Sequence, residues 1–423
     1  MSDVSDELIA AEQMPAFYDQ PGVQVEEIPV GGGVPLGIAC AENPQLGIGG
    51  VYGTWGFCYD NQTLPGFVEK RIGMPIPRDE QLNLATLGFM YRHHSPEMTP
   101  QDQVECEVEV GARFLRAAAQ SCGWDPREVD AVMIGMSSPV IPDYTNRIAE
   151  RAGISQDALK VSVHKACDSS MGALQMALNP DLHENTFLKR NLARVLEGKK
   201  VLVGGIEGLS RFVQRSKDAN ALQLFGNGVG IIGVIPGKTM KFLVGKAFEV
   251  FDEKGVLAAH MDYPHSHHRH DDSFVEVQEE TPNQVRIAGM MPEPVNGESV
   301  DMAGPMGMVK LFVRNGVQVV CDVYQAYLQR LSELGQSSKT FATVIVHHAN
   351  YKINRLKALQ LEKIGIHLPL PWVLSEFGNV SAASNMMAFL RTLADLKPGD
   401  HILFDGFGAG TYYDVFAVEL GEQ

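Results

Sequence analysis

Cysteine is scarce and scattered. The 423-residue chain has six, Cys40, Cys58, Cys106, Cys122, Cys167 and Cys321, and no two are in C-x-x-C spacing. At this size and density a disulfide framework is not expected, so the thiols read as reduced and the location as cytoplasmic. Positive charge is also short, with 35 Lys and Arg against 51 Asp and Glu, a formal net charge of −16. That balance argues against broad nucleic-acid binding, which needs a basic footprint. No basic residue precedes Lys70, and the first residues lack an apolar stretch. Neither a secretory nor a transit peptide is therefore expected. Uninterrupted apolar runs are too short to span a bilayer, so no membrane partner is expected.

Hydrophobic residues make up 45% of the chain. That is ample for a core, and the length is generous for one domain. Residues 1–45 are acidic, then glycine- and proline-rich, and read as an N-terminal extension. From residue 46 the pattern becomes strand and helix. Val104, Val108, Ala112, Leu115 and Ala119 recur at helical spacing. The runs Asp130–Met136 and Val201–Gly205 are continuously apolar at strand length, as in strands covered on both faces. Phe187–Leu196 reads as one helix, Thr343–Val346 as a strand, and Trp372–Asn379 as a strand and turn. Residues 252–300 are polar and histidine-rich, and read as an insertion or lid.

The stretch Val161-Ser-Val-His-Lys-Ala-Cys-Asp-Ser-Ser-Met-Gly carries the first chemical signal. It reads as a strand, a sharp junction and an apolar helix, with Cys167 at the helix start. A helix N-terminus has unpaired N–H groups and a partial positive charge, which favours a thiolate. On this stretch alone, a nucleophile and a small buried core cysteine fit equally well.

The far half of the chain changes that balance. The strand at Asp130 recurs at Phe341, the strand–turn–helix at Cys167 recurs at Asn379, and the strand at Val201 recurs at Ile402. Each offset is on the order of 200 residues, too long for a solenoid, so the pattern is a domain-scale duplication. Residues 46–238 form one half and residues 239–423 the other. Alternating strands and helices imply layered α/β sheets. A pseudo-twofold relation lets Cys167 and Asn379 face one pocket, with His347 ending the neighbouring strand.

Ala166-Cys167, His347-His-Ala-Asn350, Phe377-Gly-Asn-Val-Ser-Ala-Ala-Ser384 and Gly406-Phe-Gly-Ala-Gly410 occur in this order. Together they resemble the thiolase superfamily, and most closely ketoacyl-ACP synthase III. The resemblance runs from about Ile48 to the C-terminus. It implies an α/β thiolase fold of two pseudo-duplicated halves in αβαβα layers, and a homodimer. It also implies a catalytic set of Cys167, His347 and Asn379, with an oxyanion loop at Gly408 and Ala409. The reaction it implies is acyl transfer to Cys167, then decarboxylative Claisen condensation with a malonyl thioester. Acyl-CoA or acyl carrier protein thioesters are the implied substrates and partners, with no resident cofactor and no metal.

This sequence departs from the family pattern in places. His348 replaces a glutamine, and motif order favours His347 as the catalytic histidine. Asn227 stands where an aspartate is usual. The stretch Gly66–Pro77 lacks the tryptophan that family members place near the coenzyme A adenine, and Val140–Thr145 replaces a segment that shapes the acyl pocket. Lys352 falls where the family has a carrier-contacting arginine. With Arg355 and Lys357 it reads either as a carrier-protein surface or as an ordinary solvated helix face. His265, His267, His268 and His270 read as a solvated lid rather than a metal site. The rival functions are an acyltransferase on the same scaffold, a type III polyketide synthase, a degradative thiolase, and a non-catalytic partner subunit of a heteromeric synthase.

Overall fold

Helix Ser169–Leu178 has no exposed side; all ten residues are buried. Its sequence is small and apolar all round, which suits a helix enclosed by protein on every face. In the computed structural model, which describes residues 3–138, 141–249, 276–288, 310–409 and 412–421, this helix lies between two sheets. One sheet supplies β6 (Ala131–Gly135), β7 (Leu159–His164) and β8 (Val201–Glu207) against it. The other supplies β10 (Met240–Glu249), β14 (His401–Gly408) and β15 (Tyr412–Leu420). Helix Ser384–Thr392 shares this middle layer, against β3 (Ile48–Trp55), β9 (Gly228–Val234) and β13 (Phe341–Val346).

The larger sheet has nine strands in the order β1-β2-β3-β9-β8-β6-β7-β12-β11, where β1 is Gln24–Ile28, β2 Val34–Asn43, β11 Glu276–Thr281 and β12 Gln284–Ala288. The smaller has four, β10-β15-β14-β13. A separate ribbon pairs β4 (Phe57–Asp60) with β5 (Tyr91–His94). Alternation along the strands sorts the core. On β6, Ala131 and Met133 join the middle layer, whereas Val132 and Ile134 pack under the outer helices Pro100–Ser121 and Tyr144–Ala152. On β14, Ile402 and Phe404 face the middle and Leu403 faces outward. Helices Gly316–Glu333 and Tyr351–Lys363 close the far side. The result is the αβαβα thiolase fold.

The duplication is visible in the pairing. β6 runs parallel to β8, and β8 antiparallel to β9; β13 runs parallel to β14, and β14 antiparallel to β15. The symmetry is incomplete. Trp372–Asn379, read as a strand and turn, forms no strand, and its one sheet-like pairing is an isolated bridge from Asn379 to Phe225. Its polar groups go elsewhere: the Val373 N–H donates to His348 Nε2 (3.1 Å) and the Trp372 indole N–H to the Gly88 carbonyl (2.9 Å).

Three further readings change. From Gln24 onward the acidic N-terminal stretch is built into the sheet, since β2 pairs with β3 from Leu36 to Asn43. Before it, Phe17 is fully buried against Phe377, with ring centroids 4.7 Å apart. Within residues 252–300, β11 and β12 form a hairpin whose second strand runs parallel to β7, so this part is ordered sheet. His265, His267, His268 and His270 lie outside the described residues. Phe187–Leu196, read as one helix, is broken: a short helix His183–Phe187 ends at its first residue, and Asn191 caps a new one, Leu192–Leu196, by accepting from the Arg194 N–H.

Candidate active site

β7 delivers the chain to a tight elbow. Ala166 takes a left-handed backbone, with φ of 49°, a conformation costly for a residue with a Cβ. Ser169 holds it there: its hydroxyl donates to the Ala166 carbonyl (2.6 Å) and accepts from the Lys165 N–H (2.7 Å). Behind the elbow, the buried Lys165 ammonium bonds Glu184 (2.6 Å) and Asp414 (2.7 Å), pinning the turn to β15. Cys167 then stands half-buried at the start of the middle-layer helix.

At Cys167 the field of the helix start is opposed by desolvation. Burial pushes its thiol up to about 12, aided by the nearby charges of Glu207 and Asp168. Hydrogen bonding with the Ser381 side chain and with the Ala409 backbone pulls the other way. The Ala409 N–H therefore lies close to the sulfur. Gly408 is needed for that approach, since a Cβ there would lie 2.7 Å from the Asp168 nitrogen and 2.8 Å from the Cys167 nitrogen. Gly410 lies outside the described residues.

His347 follows β13 and is buried. Its Nδ1 meets Ser384 Oγ at 2.5 Å, and its ring stands edge-on to Phe407. Burial lowers its pKa to about 3, with the neighbouring His348 and Lys357 adding to the effect, so the imidazole is neutral at ordinary pH. His348 has no ring nitrogen to spare. Its Nδ1 donates to the Val346 carbonyl (2.9 Å), its Nε2 accepts the Val373 N–H, and Trp372 lies against its face. His348 is a bracket for the Trp372 segment, which leaves His347 as the histidine with free bonding capacity.

Asn379 is fixed on three sides. Its backbone N–H donates to the Leu224 carbonyl (3.0 Å), its Oδ1 accepts the Ser381 N–H (2.9 Å), and one Nδ2 hydrogen goes to the Ala349 carbonyl (3.2 Å). An amide nitrogen carries two hydrogens, so one remains. Gly378, with φ of 75°, turns the chain into this position.

The turn 379–384 is what joins the three candidates. Asn379 opens it, Ser381 contacts the Cys167 thiol, and Ser384 bonds His347. Ser381 is itself left-handed, with φ of 45°, so both elbows that meet at the sulfur are strained. Neither Ser381 nor the polar pair behind it, Ser137 and Glu207, was identified from sequence. Glu207 ends the otherwise apolar run Val201–Glu207, and a carboxylate in that position was the available signal.

The basic residues after Asn350 separate. Lys352 is exposed, and Arg355 is half-buried on a groove of about 570 Å³ shared with Glu7, Tyr351 and Trp372. Lys357 is not a surface residue; it is fully buried and donates to Asp405 at 2.6 Å. Lys357→Met leaves that carboxylate buried and unpaired, and is expected to lower stability by about 3–5 kcal/mol, read by urea unfolding. Adding Asp405→Asn should recover much of the loss. Asn227 is structural: it caps Ser210 (3.0 Å) and donates to the Trp55 carbonyl (3.1 Å). No cluster of metal-ligating side chains occurs among the described residues. No helix among them is long and apolar enough to cross a membrane.

Residues 331–420 match the family described as 3-oxoacyl-[acyl-carrier-protein] synthase III C terminal. The chain is 24% identical to beta-ketoacyl-[acyl-carrier-protein] synthase III of Neisseria meningitidis over 348 residues, 80% of this chain and 90% of the relative. Among solved structures it is similar to 3-oxoacyl-[acyl-carrier-protein] synthase III from Aquifex aeolicus, with a TM-score of 0.56, 17% identity, and coverage of 94% and 100% of the two chains. It is also similar to 1,3,6,8-tetrahydroxynaphthalene synthase from Streptomyces coelicolor, a type III polyketide synthase (TM-score 0.59, 13% identity, 88% and 98% covered). At these identities the structural matches speak for the fold alone. Fold, matched C-terminal family and relatives aligned over most of the chain agree in their likeness to ketoacyl-ACP synthase III.

Proposed function

We propose that the chain loads an acyl group from a thioester onto Cys167 and extends it with a malonyl thioester. The observation that carries this reading is the single turn 379–384, which contacts the thiol through Ser381, holds His347 through Ser384, and contributes Asn379 itself. In the first step the Cys167 sulfur attacks the acyl carbonyl, with the Ala409 N–H close to the developing charge. In the second, the malonyl carboxylate leaves as carbon dioxide and its bonding pair becomes an enolate. Two neutral donors suit that oxygen. One is the spare Asn379 N–H. The other is His347 Nε2: the His348 N–H approaches Ser384 Oγ (3.4 Å), so the Ser384 hydroxyl is assigned as donor to Nδ1, and the ring proton sits on Nε2. The enolate carbon then attacks acyl-Cys167, releasing the sulfur and a β-ketoacyl thioester.

We assign the donor thioesters to coenzyme A, an acyl carrier protein, or both, and the working species to a homodimer. Lys352 is exposed on the same helix as the exposed Leu356 and Leu359, a basic and apolar combination suited to an acidic carrier. The test is to supply acyl thioesters on either carrier, then malonyl thioester, and measure carbon dioxide and β-ketoacyl product. Lys352→Glu should raise KM about tenfold for the carrier-bound donor only, about 1.4 kcal/mol of docking. Acyl consumption without carbon dioxide, and with ester or amide product from an added acceptor, would establish the acyltransferase reading instead. Neither product from any donor would leave the non-catalytic partner subunit.

A further inference from the structure

We infer that Glu207 takes the Cys167 proton during acyl loading, through a relay of two hydroxyls, Ser381 and Ser137. The inference rests on the reading of Cys167 as nucleophile and adds where its proton goes.

The chain of contacts is continuous. The Cys167 thiol is hydrogen-bonded to the Ser381 side chain. Ser381 Oγ donates to Ser137 Oγ at 2.8 Å. The Ser137 hydroxyl bonds the Glu207 carboxylate. Ser381, Ser137 and Glu207 are all nine-tenths or more buried, so solvent does not compete along the path. Glu207 is also held in register. It accepts the Ser137 N–H (2.8 Å), the Ser138 hydroxyl (3.1 Å) and the Ala382 N–H (3.1 Å), which ties the end of β8 to loops from both halves of the chain.

A base is needed because the other candidate is a poor one. A thiol held near 12 has to lose its proton as it attacks, and His347, held near 3, has little affinity for one. Glu207 is pushed up to about 7 by burial, against the pull of its serine and backbone donors. It is therefore ionised above neutrality, and binds a proton far better than an ordinary carboxylate. The charged and titratable groups around it are Cys167, the buried Glu107–Arg211 pair (3.0 Å), and Tyr144 on its own helix.

The step balances. As the sulfur–carbon bond forms, the thiol proton passes to Ser381, the Ser381 proton to Ser137, and the Ser137 proton to Glu207. When the tetrahedral intermediate collapses, the carbon–sulfur bond of the donor breaks. Glu207 then returns the proton through Ser137 to Ser381, and the Ser381 hydroxyl protonates the departing thiolate, so one thiol is consumed and one is released.

Single-turnover acylation of Cys167, followed by intact mass between pH 5.5 and 9, tests this. In the native chain the rate should climb through a midpoint near pH 7. Glu207→Gln should be about 100-fold slower at pH 7.5, within the usual range for a general base. It should also lose that midpoint, gaining rate only toward alkaline pH as the thiol ionises unaided. Ser137→Ala keeps the Glu207 carboxyl and its backbone donors but breaks the path, and should behave alike; it carries the test if Glu207→Gln does not fold. Normal acylation with an unchanged midpoint in these variants overturns the relay and leaves the function standing. No adduct on native Cys167 under any condition removes both.

Discussion

Incubated with an acyl thioester that modifies the native chain, Cys167→Ala is expected to keep its unmodified mass, and condensation should fall by at least about 10³-fold. The size follows from the chemistry. Without the sulfur there is no covalent acyl intermediate, and what remains is binding and charge stabilisation by neighbouring groups. The loss should be chemical rather than structural. The elbow is fixed by Ser169, Lys165, Glu184 and Asp414, none of which depends on the sulfur, so unfolding in urea should move little. Peptide mapping is part of the measurement, because Cys40 is more exposed than Cys167 and a reagent sensitive only to access would label it first. Acyl mass on Cys40, with Cys167 unmodified, would sink the assignment. The malonyl half-reaction gives a second reading. His347 and Asn379 survive in Cys167→Ala, so slow release of carbon dioxide uncoupled from product should persist.

What the sequence revealed about this site, and what it hid, follows from the range of each interaction. Cys167, His347 and Asn379 could be put forward as candidates because each sits where a strand meets a turn, in short motifs whose order survives. The choice of His347 over His348 rested on motif order alone. The structure supplies a physical reason, since both nitrogens of His348 are spent on Val346 and Val373. Charge was the less reliable guide. Lys352, Arg355 and Lys357 look equivalent by residue type, yet Lys357 falls on the opposite face of the helix from the other two, where it meets Asp405, 48 residues away. Glu207 was missed for a similar reason: what makes a carboxylate tolerable at the end of a buried strand is donors from Ser137, Ser138 and Ala382, none of them near it in sequence. At Cys167 the field of a helix end is opposed by desolvation, a contribution that the local sequence does not display.

The layered fold was legible through alternation of apolar strands and helices, and the duplication through their repeat. Where local pattern and tertiary pairing disagree, pairing wins. Trp372–Phe377 has strand-like residues, but its backbone is committed to His348 and its indole to Gly88. Polar Glu276–Ala288 reads as loop, and becomes sheet because β7 offers an edge to pair with. The acidic strand β1 is likewise recruited by β2, which itself pairs with β3.

His347→Ala should separate the two half-reactions. Acyl loading on Cys167 does not use the imidazole in the scheme above, so the adduct should still form at a rate within a few-fold of native. Carbon dioxide release from malonyl thioester should fall by about 10²–10³-fold, the usual cost of removing one donor to a developing oxyanion. The stalled acyl-enzyme should therefore accumulate when both substrates are supplied, and intact mass would show it directly. Protonation gives an independent check. With the ring held near pH 3, decarboxylation should show no loss on acidification from pH 8 to 5 that is attributable to His347, since the donor stays neutral throughout. Any loss in that window belongs to loading, where Glu207 titrates near 7. The two steps thus carry different pH signatures. A decarboxylation rate unchanged by His347→Ala would remove the imidazole from the reaction, whereas a variant that fails to load Cys167 would make His347 a partner of the sulfur instead. Ser384→Ala tests the same geometry one bond further out. It deprives Nδ1 of its partner, frees the ring to change tautomer, and should slow decarboxylation while leaving the acyl-Cys167 adduct intact.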